Sequence, residues 1–378
     1  MDKTLICFLT DTNYGSLAAA KLLKIDSIIF LIEQGSDAEQ SFDSLLTYIR
    51  QNMPSIKVSH HKYTCEQANL ISAITQIKKN RCVVLDATNA PTLQLLMIKD
   101  FVEDSGIPMI YVDIDRQNYY IVRGREIAKH GGFAEISVDD IMAGAGTSIV
   151  SSSSDYYLSQ DVTDFISIIE QHYASFRTFL SIIKTPNRIH SNFPDSYFAT
   201  ISLNYLKTQD VKDFLHIADA LKAKGFIDYD FKNNQVQMSF KDENFRKLIM
   251  IFGSWLEAIT YNCVKKISKV DDVESGVVFM WNADFINIKN EIDVMASIDS
   301  RLVYISCKDT QNLSTYMLNE IELYAEKLGG KNSIKIMVLS DRTTNDAFLL
   351  RAREMGIHVI YFNGNTHTFL NTLEQIIR

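Results

Sequence analysis

The first third of the chain alternates apolar runs with polar loops and helical stretches. The apolar runs are nearly continuous, which is typical of strands that are buried on both faces of a parallel sheet. Such runs predict strands at residues 4–9, 27–32, 81–86 and 109–113, and the more polar residues 57–61 are a further candidate strand. The stretches between them have the periodicity of helices. This alternation indicates a doubly wound, Rossmann-like α/β domain.

Two polar loops follow strands of this sheet, Thr10–Ser16 after the first and Ala87–Thr92 after the fourth. Doubly wound sheets bind ligands beyond the carboxyl ends of their strands, at the topological switch point. Each loop also precedes a helix N-terminus, whose free N–H groups suit phosphate. A local explanation stays open, because Thr and Asn are also common helix caps. The candidate binding residues are Thr10, Asp11, Thr12, Asn13, Thr88, Asn89 and Thr92.

The middle of the chain is predicted to contain helices and a short hairpin. Ser151–Ser154 is the clearest linker, and a long amphipathic helix is expected from Gln160 to about Lys184. A helix at Val211–Lys224 is followed by short alternating strands at residues 226–231 and 236–240, the outline of a winged helix. Acidic residues offset the lysines of this helix, so we interpret the region as a spacer or dimerisation element.

The last third contains a β-hairpin that carries charged residues. Glu291–Met295 and Arg301–Ile305 are its predicted strands, joined by a polar turn at Asp299–Ser300. The hairpin places Asp293 on its first strand and Lys308 at the end of its second. A carboxylate beside an ammonium suits metal-dependent phosphodiester cleavage, in which the acid holds Mg²⁺ or Mn²⁺ and the lysine orients water or offsets charge.

A third acid, Glu257, lies near the edge of the apolar face of a helix predicted at residues 245–267. It is a candidate to hold a second metal ion or its water molecule. The alternative is an ordinary surface glutamate.

Composition restricts the classes of function. The 378 residues carry a net charge of −8, which counts mildly against constitutive tight DNA binding. Five scattered cysteines without C-x-x-C spacing indicate a reducing compartment, and we expect a cytoplasmic protein without structural zinc or disulfides. No apolar run is long enough for a membrane span. The glycine motifs of dinucleotide and P-loop sites are absent from the sequence.

The order of elements around the hairpin resembles the PD-(D/E)xK nuclease core of restriction-type enzymes. In that pattern a Glu precedes the Lys by two residues, and here Ser306 takes its place. Some restriction endonucleases with Ser-x-Lys recover the carboxylate from the following helix. Glu322 is the first candidate for that role, and Glu320 is the second.

The resemblance extends to the whole chain, which is similar to CRISPR ancillary nucleases with an N-terminal CARF (CRISPR-associated Rossmann fold) sensor, the Can/Card group. It implies a CARF domain at residues 1–150, a linker and winged-helix-like spacer at 151–244, and a PD-(D/E)xK nuclease domain at 245–378. The segments that carry the nuclease resemblance are Gly253–Glu257, Asn290–Val294, Ile305–Lys308 and Leu318–Glu322 with Gly329–Gly330.

The resemblance also implies partners and roles. We expect a homodimer that binds one cyclic oligoadenylate, the tetra-adenylate, across its two-fold axis, because a symmetric ring suits an isologous interface. The seven polar loop residues would contact the ring. Asp293 and Glu322 would bind Mg²⁺ or Mn²⁺, Lys308 would orient water, and Glu257 would assist the metal. The expected activity is activator-dependent cleavage of DNA or RNA.

Two alternatives belong to other classes. A ligand-responsive regulator with a degenerate nuclease fold and a DNA-binding winged helix would account for Ser306 and the acidic net charge. A small-molecule enzyme that uses the N-terminal pocket lacks a catalytic pair there.

Overall fold

The structure is a computed structural model, and the statements below concern the residues that it describes. These are residues 2–36, 38–39, 42–79, 81–114, 116–132, 134–185, 189–190, 198–251, 253–281 and 289–377.

The chain forms two compact units. Unit 1 comprises residues 1–152, 268–304 and 316–335, and unit 2 comprises residues 153–267, 305–315 and 336–378. The units are defined by spatial contacts and combine segments that are distant in the chain, so the three domains inferred from the sequence, with their two boundaries, stay predictions.

The N-terminal part of unit 1 is built on a sheet with the strand order β3-β2-β1-β4-β5-β6-β7. Its strands are β1 (Lys3–Phe8), β2 (Ser27–Glu33), β3 (Lys57–Tyr63), β4 (Cys82–Asp86), β5 (Met109–Asp113), β6 (Asn118–Arg123) and β7 (Glu126–Gly131). Its helices are α1 (Tyr14–Leu23), α2 (Phe42–Asn52), α3 (Gln67–Lys78), α4 (Thr92–Ser105) and α5 (Val138–Gly144). β1 to β5 pair in parallel, whereas β6 and β7 add an antiparallel edge. The predicted doubly wound fold is confirmed.

The chain changes direction across the sheet at β1. It runs from β1 to β2 and β3, and then returns to place β4 on the other side of β1. Ile6, Phe8 and Leu85 of these strands lie in the apolar core of the sheet. The switch point therefore lies between β1 and β4, and the two predicted binding loops follow these two strands.

The middle of the chain contains α6 (Ser154–Tyr157), α7 (Gln160–Gln171), α8 (Tyr173–Ile183), α9 (Thr208–Ala223), α10 (Glu243–Met250) and α11 (Ser254–Val264). Its strands are β9 (Ile189–His190), β10 (Phe198–Ser202), β11 (Ile227–Lys232) and β12 (Gln235–Phe240). They form a sheet with the order β11-β12-β10-β9. The predicted hairpin occurs in this sheet as β11 and β12, and the predicted helix before it occurs as α9. Two prolines, Pro186 and Pro194, predict an irregular segment at residues 185–196, most of which lies outside the described residues. Phe252, which the sequence places on the apolar face of the helix predicted at residues 245–267, also lies outside them.

The C-terminal sheet has the order β17-β16-β15-β14-β13-β8. Its strands are β8 (Ser148–Ser151), β13 (Val270–Met280), β14 (Asn290–Ile298), β15 (Arg301–Lys308), β16 (Ile334–Leu339) and β17 (Ile357–Tyr361). The helices of this region are α12 (Thr315–Gly329), α13 (Asp346–Glu354) and α14 (Thr366–Ile377). The predicted hairpin is confirmed as β14 and β15, and both turn residues, Asp299 and Ser300, have positive φ, as a type I′ turn requires.

Three local predictions were wrong. The helix expected from Gln160 to Lys184 breaks at His172, whose φ of −134° is not helical. The helix expected at residues 245–267 breaks at Gly253, which has a φ of 95° that favours glycine. The first residue of the predicted serine-rich linker, Ser151, is the last residue of β8 and pairs with Val278 of β13.

Within the described part of the chain, no helix combines the length and the apolar composition that crossing a membrane requires.

Candidate functional site

The two switch-point loops contact each other. The Asn89 side chain donates to the Thr12 carbonyl oxygen at 2.7 Å. Gly15 passes so close to the second loop that a Cβ there would lie 2.8 Å from Cγ2 of Thr88. The structure therefore brings the two groups of predicted binding residues together at the expected edge of the sheet.

The seven predicted binding residues are not equally accessible. Asn13 is buried, and its side-chain amide donates hydrogen bonds to the carbonyl oxygens of Thr10 and Gly144. Thr88 Oγ1 accepts from the Val112 N–H group at 3.0 Å. Asp11 and Thr92 are exposed. Asn13 and Thr88 thus shape the loops, whereas Asp11 and Thr92 are open to a ligand. No described side chain caps α1 or α4, so the capping explanation does not account for these residues.

Asp86, at the end of β4, accepts hydrogen bonds from both loops. Its Oδ2 accepts from Ser16 Oγ at 2.5 Å, and its Oδ1 accepts from the Thr88 N–H group at 2.9 Å. Burial raises the pKa of Asp86 although these hydrogen bonds oppose the shift. The sequence reasoning did not single out this residue. A carboxylate at the last position of a buried strand was the available signal.

In unit 2, α11 places Glu257 beside the end of β15. Glu257 is buried in the first turn of α11, and it accepts a hydrogen bond from the Tyr157 hydroxyl at 3.4 Å. A Cβ on Gly253 would lie 3.5 Å from Glu257 Oε1 and 3.4 Å from the Cys307 carbonyl oxygen. Glu257 is therefore not a surface residue, and it lies near the residue that precedes Lys308.

Asp309, which directly follows Lys308, is the centre of an ionic cluster in unit 2. Its carboxylate accepts from Arg177 at 2.6 Å, from Lys184 at 2.9 Å and from the indole of Trp255 at 2.9 Å. Burial alone would raise the pKa of Asp309, but the Lys184 ammonium and the hydrogen bonds from Ser340, Trp255 and Arg177 hold it well below its usual range. The cluster fixes the backbone beside Lys308.

In unit 1, Asp293 and Glu320 act on the same tyrosine. Tyr304 of β15 is buried, and burial raises its pKa well above the usual value. The negative charges of Asp293, Glu320 and Tyr324 contribute to the same shift. Asp293 and Glu320 are each half-buried. The charges of an acid of β14 and an acid of α12 therefore both act on one side chain of β15.

Glu322 has a different environment. Its carboxylate forms an ion pair with Lys335, whose side chain is largely buried. The sequence had ranked Glu322 before Glu320 as the replacement for the acid missing at Ser306. Glu322 is paired with Lys335, and the charges of Glu320 and Asp293 act on the same tyrosine, so the choice between the two glutamates stays a prediction.

The described residues contain no group of three His, Cys, Asp or Glu side chains suited to a metal ion. This does not conflict with a magnesium site, because Mg²⁺ commonly keeps several water molecules and binds one or two carboxylates. The half-buried carboxylates of Asp293 and Glu320 fit that smaller requirement.

Comparison with known proteins gives a family for the C-terminal part. Residues 242–375 match the family model described as "Card1-like, endonuclease domain". A comparison with curated protein sequences finds no significant match.

Solved structures share the fold of the chain at low identity. Can2 from Sulfobacillus thermosulfidooxidans, solved in complex with cyclic tetra-adenylate, aligns with a TM-score of 0.72 and 15% identity over 100% of this chain and 99% of its own. Protein VC1899 from Vibrio cholerae aligns with a TM-score of 0.74 and 14% identity over 99% and 98% of the two chains.

A third structure is a type III CRISPR defence DNA nuclease activated by cyclic oligoadenylate, with a TM-score of 0.50 and 14% identity. The alignment covers 90% of this chain and 45% of that one. The match of residues 242–375 to the Card1-like endonuclease model confirms the predicted resemblance to the Can/Card nucleases for that part of the chain.

Proposed function

We propose that this protein is a metal-dependent endonuclease of type III CRISPR defence that is activated by cyclic oligoadenylate. The observation that carries the proposal is the match of residues 242–375 to a Card1-like endonuclease domain, because Glu257, Asp293, Lys308 and Glu320 all lie inside it. The activator is supported by two relatives of the same fold. Can2 was solved with cyclic tetra-adenylate, and the third relative is described as activated by cyclic oligoadenylate.

We assign Asp293 and Glu320 as the carboxylates that hold Mg²⁺ or Mn²⁺. Both are half-buried, so they lose part of their hydration and attract a cation more strongly than exposed acids do. A bound divalent cation would supply charge neutralisation at the phosphate and a lower pKa for water. Glu322 is the alternative ligand.

Lys308 is assigned to orient the attacking water and to offset the charge that develops on the phosphate. β14 and β15, which carry Asp293 and Lys308, are neighbours in the C-terminal sheet. Asp309 and its cations hold the chain at the next residue, which limits the freedom of the Lys308 backbone. Glu257, buried beside the end of β15, is assigned to assist the water or a second cation.

The ring site is assigned to the switch-point loops. Asp11 and Thr92 are exposed and Thr12 is half-buried, and the N-termini of α1 and α4 supply N–H groups suited to phosphate. Thr10, Asn13, Thr88 and Asn89 keep the loops in place through the hydrogen bonds described above. A homodimer would present this site twice, as a symmetric ring requires.

The test incubates the purified protein and Mn²⁺ with supercoiled plasmid and with single-stranded RNA, with and without cyclic tetra-adenylate. We expect cleavage only with the activator. Asp293→Ala and Lys308→Ala should each lower the cleavage rate by roughly 10²-fold or more. Binding of the labelled ring should stay unchanged in both variants, which shows that they are folded.

A matched pair of variants separates the two candidate ligands of α12. Glu320→Gln should abolish cleavage, whereas Glu322→Gln should retain most of it. The opposite result would return the role to Glu322. Wild-type rates in Asp293→Ala and Lys308→Ala, or ring-dependent duplex binding without any cutting, would favour the regulator with a degenerate nuclease fold.

A further inference from the structure

A group of aromatic side chains, one exposed and two half-buried, adjoins the candidate carboxylates in unit 1. It consists of Tyr316 and Tyr324 of α12 and of Trp281 at the end of β13, with Lys327 beside them, and we call it the aromatic strip. The Trp281 and Tyr324 ring centroids are 6.0 Å apart, and Lys327 Nζ lies 5.1 Å from the Trp281 ring centroid. Tyr316 is 73% exposed.

The strip follows the helix face that carries Glu320. Tyr316, Glu320 and Tyr324 are spaced four residues apart, so their side chains lie on one face of α12. Burial raises the pKa of Tyr324, and the charges of Glu320 and Tyr316 add to the shift, which indicates that the three groups are close. A proposed metal ligand therefore lies between two tyrosines.

The inner end of the strip is held in a fixed orientation. The Tyr324 hydroxyl donates to Asn290 Oδ1 at 2.8 Å, and Asn290 begins the strand that carries Asp293. Phe279 packs edge-on against Tyr324 and Trp281, with centroid distances of 6.1 and 5.3 Å. Because these rings are already ordered, a flat ligand that stacks on the strip would cost little additional side-chain entropy.

We propose that the aromatic strip is a stacking subsite for unpaired nucleobases of the substrate strand, next to the phosphate that is cleaved. Tyr316 stacks a base at the exposed end, Trp281 and Tyr324 contact the base that follows, and Lys327 attracts the intervening phosphate. Aromatic rings bind bases of any sequence because every base has a π face, and a positive charge along the backbone completes such sites. The inference rests on the proposed nuclease function and adds the residues that receive the bases.

The location favours a nucleic acid over a protein partner. The strip alternates aromatic rings with a carboxylate and a lysine along one helix face, so it lacks the continuous apolar core that a protein interface needs. Isolated exposed tyrosines are ordinary. What distinguishes Tyr316 is that its helix face also carries Glu320 and Tyr324.

The experiment uses the full-length protein with Mn²⁺ and cyclic tetra-adenylate, and single-stranded oligonucleotides with one cleavage position. Tyr316→Ala and Trp281→Leu should each raise the KM for the oligonucleotide on the order of tenfold, the scale of one stacked base. Tyr316→Phe keeps the ring and should behave like wild type. Tyr205→Ala is the matched control, because Tyr205 is fully exposed and belongs to unit 2.

A second measurement distinguishes stacking from a general loss of folding. An oligonucleotide with an abasic nucleotide beside the cleaved phosphate should be a poorer substrate for wild type by a similar factor. Tyr316→Ala or Trp281→Leu should show no further loss with the substrate that lacks their own base.

The inference is overturned if wild type cleaves the intact and the abasic oligonucleotides equally well, or if Tyr316→Ala and Trp281→Leu keep the wild-type KM. It is equally overturned if Tyr316→Ala changes the oligomeric state and leaves KM unchanged, because the strip would then bind a protein. If wild type cleaves nothing under any activator, the proposed function itself fails, and this result is distinct from the others.

Discussion

Asp86 lies beneath the switch-point loops and Asp309 lies directly after Lys308, and both carboxyl groups are buried. Asp86 is bonded to a hydroxyl and a backbone N–H group, and burial raises its pKa. Asp309 is bonded to Arg177, Lys184 and Trp255, and its pKa is held well below its usual range. An aspartate therefore stabilises each region, through hydrogen bonds from neutral donors at Asp86 and mainly through ion pairs at Asp309.

The two regions differ in the free energy that is lost when one interaction is removed. Hydrogen bonds from neutral donors to a carboxyl group, such as those that Asp86 accepts, are worth about 1–3 kcal/mol each. A buried ionic cluster loses much more when one partner is removed, because the remaining charges stay buried without compensation. The loops proposed to bind the ring can thus rearrange at small cost, whereas the chain beside Lys308 is fixed.

The largest expected effect comes from Asp309→Asn. The substitution keeps the shape of the side chain but removes its charge, and Arg177 and Lys184 lose a buried counterion. Removing one partner of such a cluster costs about 3–5 kcal/mol. We expect a loss of this size in urea unfolding followed by tryptophan fluorescence.

Asp341→Asn is the matched control. Asp341 pairs with the same Arg177, but its side chain is 36% exposed, so water replaces the lost contact. The expected loss is below about 1 kcal/mol. Equal losses in the two variants would remove the distinction between the ionic cluster and an ordinary surface pair.

A smaller effect is expected where the loops meet the helix that carries Glu320. Tyr14 is the first residue of α1, directly after the first switch-point loop, and its buried hydroxyl donates to the Gly329 carbonyl oxygen of α12 at 2.9 Å. Tyr14→Phe leaves that carbonyl group without this donor, which costs about 1–3 kcal/mol. We expect ring affinity to be kept and ring-stimulated cleavage to fall about fivefold, the equivalent of about 1 kcal/mol.

Tyr48→Phe controls for the loss of a hydroxyl elsewhere in unit 1. Tyr48 donates to Asp140 Oδ1 at 2.9 Å, so the substitution deletes a similar hydrogen bond without touching α12. Ring-stimulated cleavage should then stay near wild type. If both variants lose stimulation equally, the Tyr14–Gly329 hydrogen bond does not specifically couple ring binding to cleavage.

Much of the fold could be predicted from the sequence because its signals are local. Continuous apolar strands, the polar turn at Asp299–Ser300 and the alternation of strands and helices each depend on a few neighbouring residues. The breaks at His172 and Gly253 could not be found in this way, because apolar residues continue at helical spacing on both sides. The break at Gly253 matters most, since it places Glu257 in the first turn of α11.

The candidate site was predictable only where residues are close in the chain. Asp293 and Lys308 flank one turn, so the hairpin itself brings their strands together. The choice between Glu322 and Glu320 stays a prediction, because the interactions that bear on it, the Glu322–Lys335 ion pair and the effect of Glu320 on Tyr304, leave no periodic pattern in the sequence. Asp309 could not be ranked for the same reason, because Arg177 and Lys184 are more than one hundred residues away.

The smallest expected effect, and the sharpest contrast with Asp309, comes from Asp86→Asn. An asparagine can accept from the Thr88 N–H group and donate to Ser16 Oγ, so the change in unfolding free energy at neutral pH should stay below about 1 kcal/mol.

The stability of the wild-type protein relative to each aspartate variant should depend on pH with a definite sign. Because the pKa of Asp86 is higher in the folded protein than its ordinary 3.8, the folded state keeps the proton longer as pH rises. Wild type should therefore gain stability relative to Asp86→Asn as pH falls toward about 4. Relative to Asp309→Asn it should lose stability as pH falls below the ordinary value, because the folded pKa of Asp309 is depressed. Urea unfolding of the three proteins between pH 7 and pH 3 measures both slopes. Slopes of the same sign would mean that the two aspartates do not differ in the way that their partners indicate.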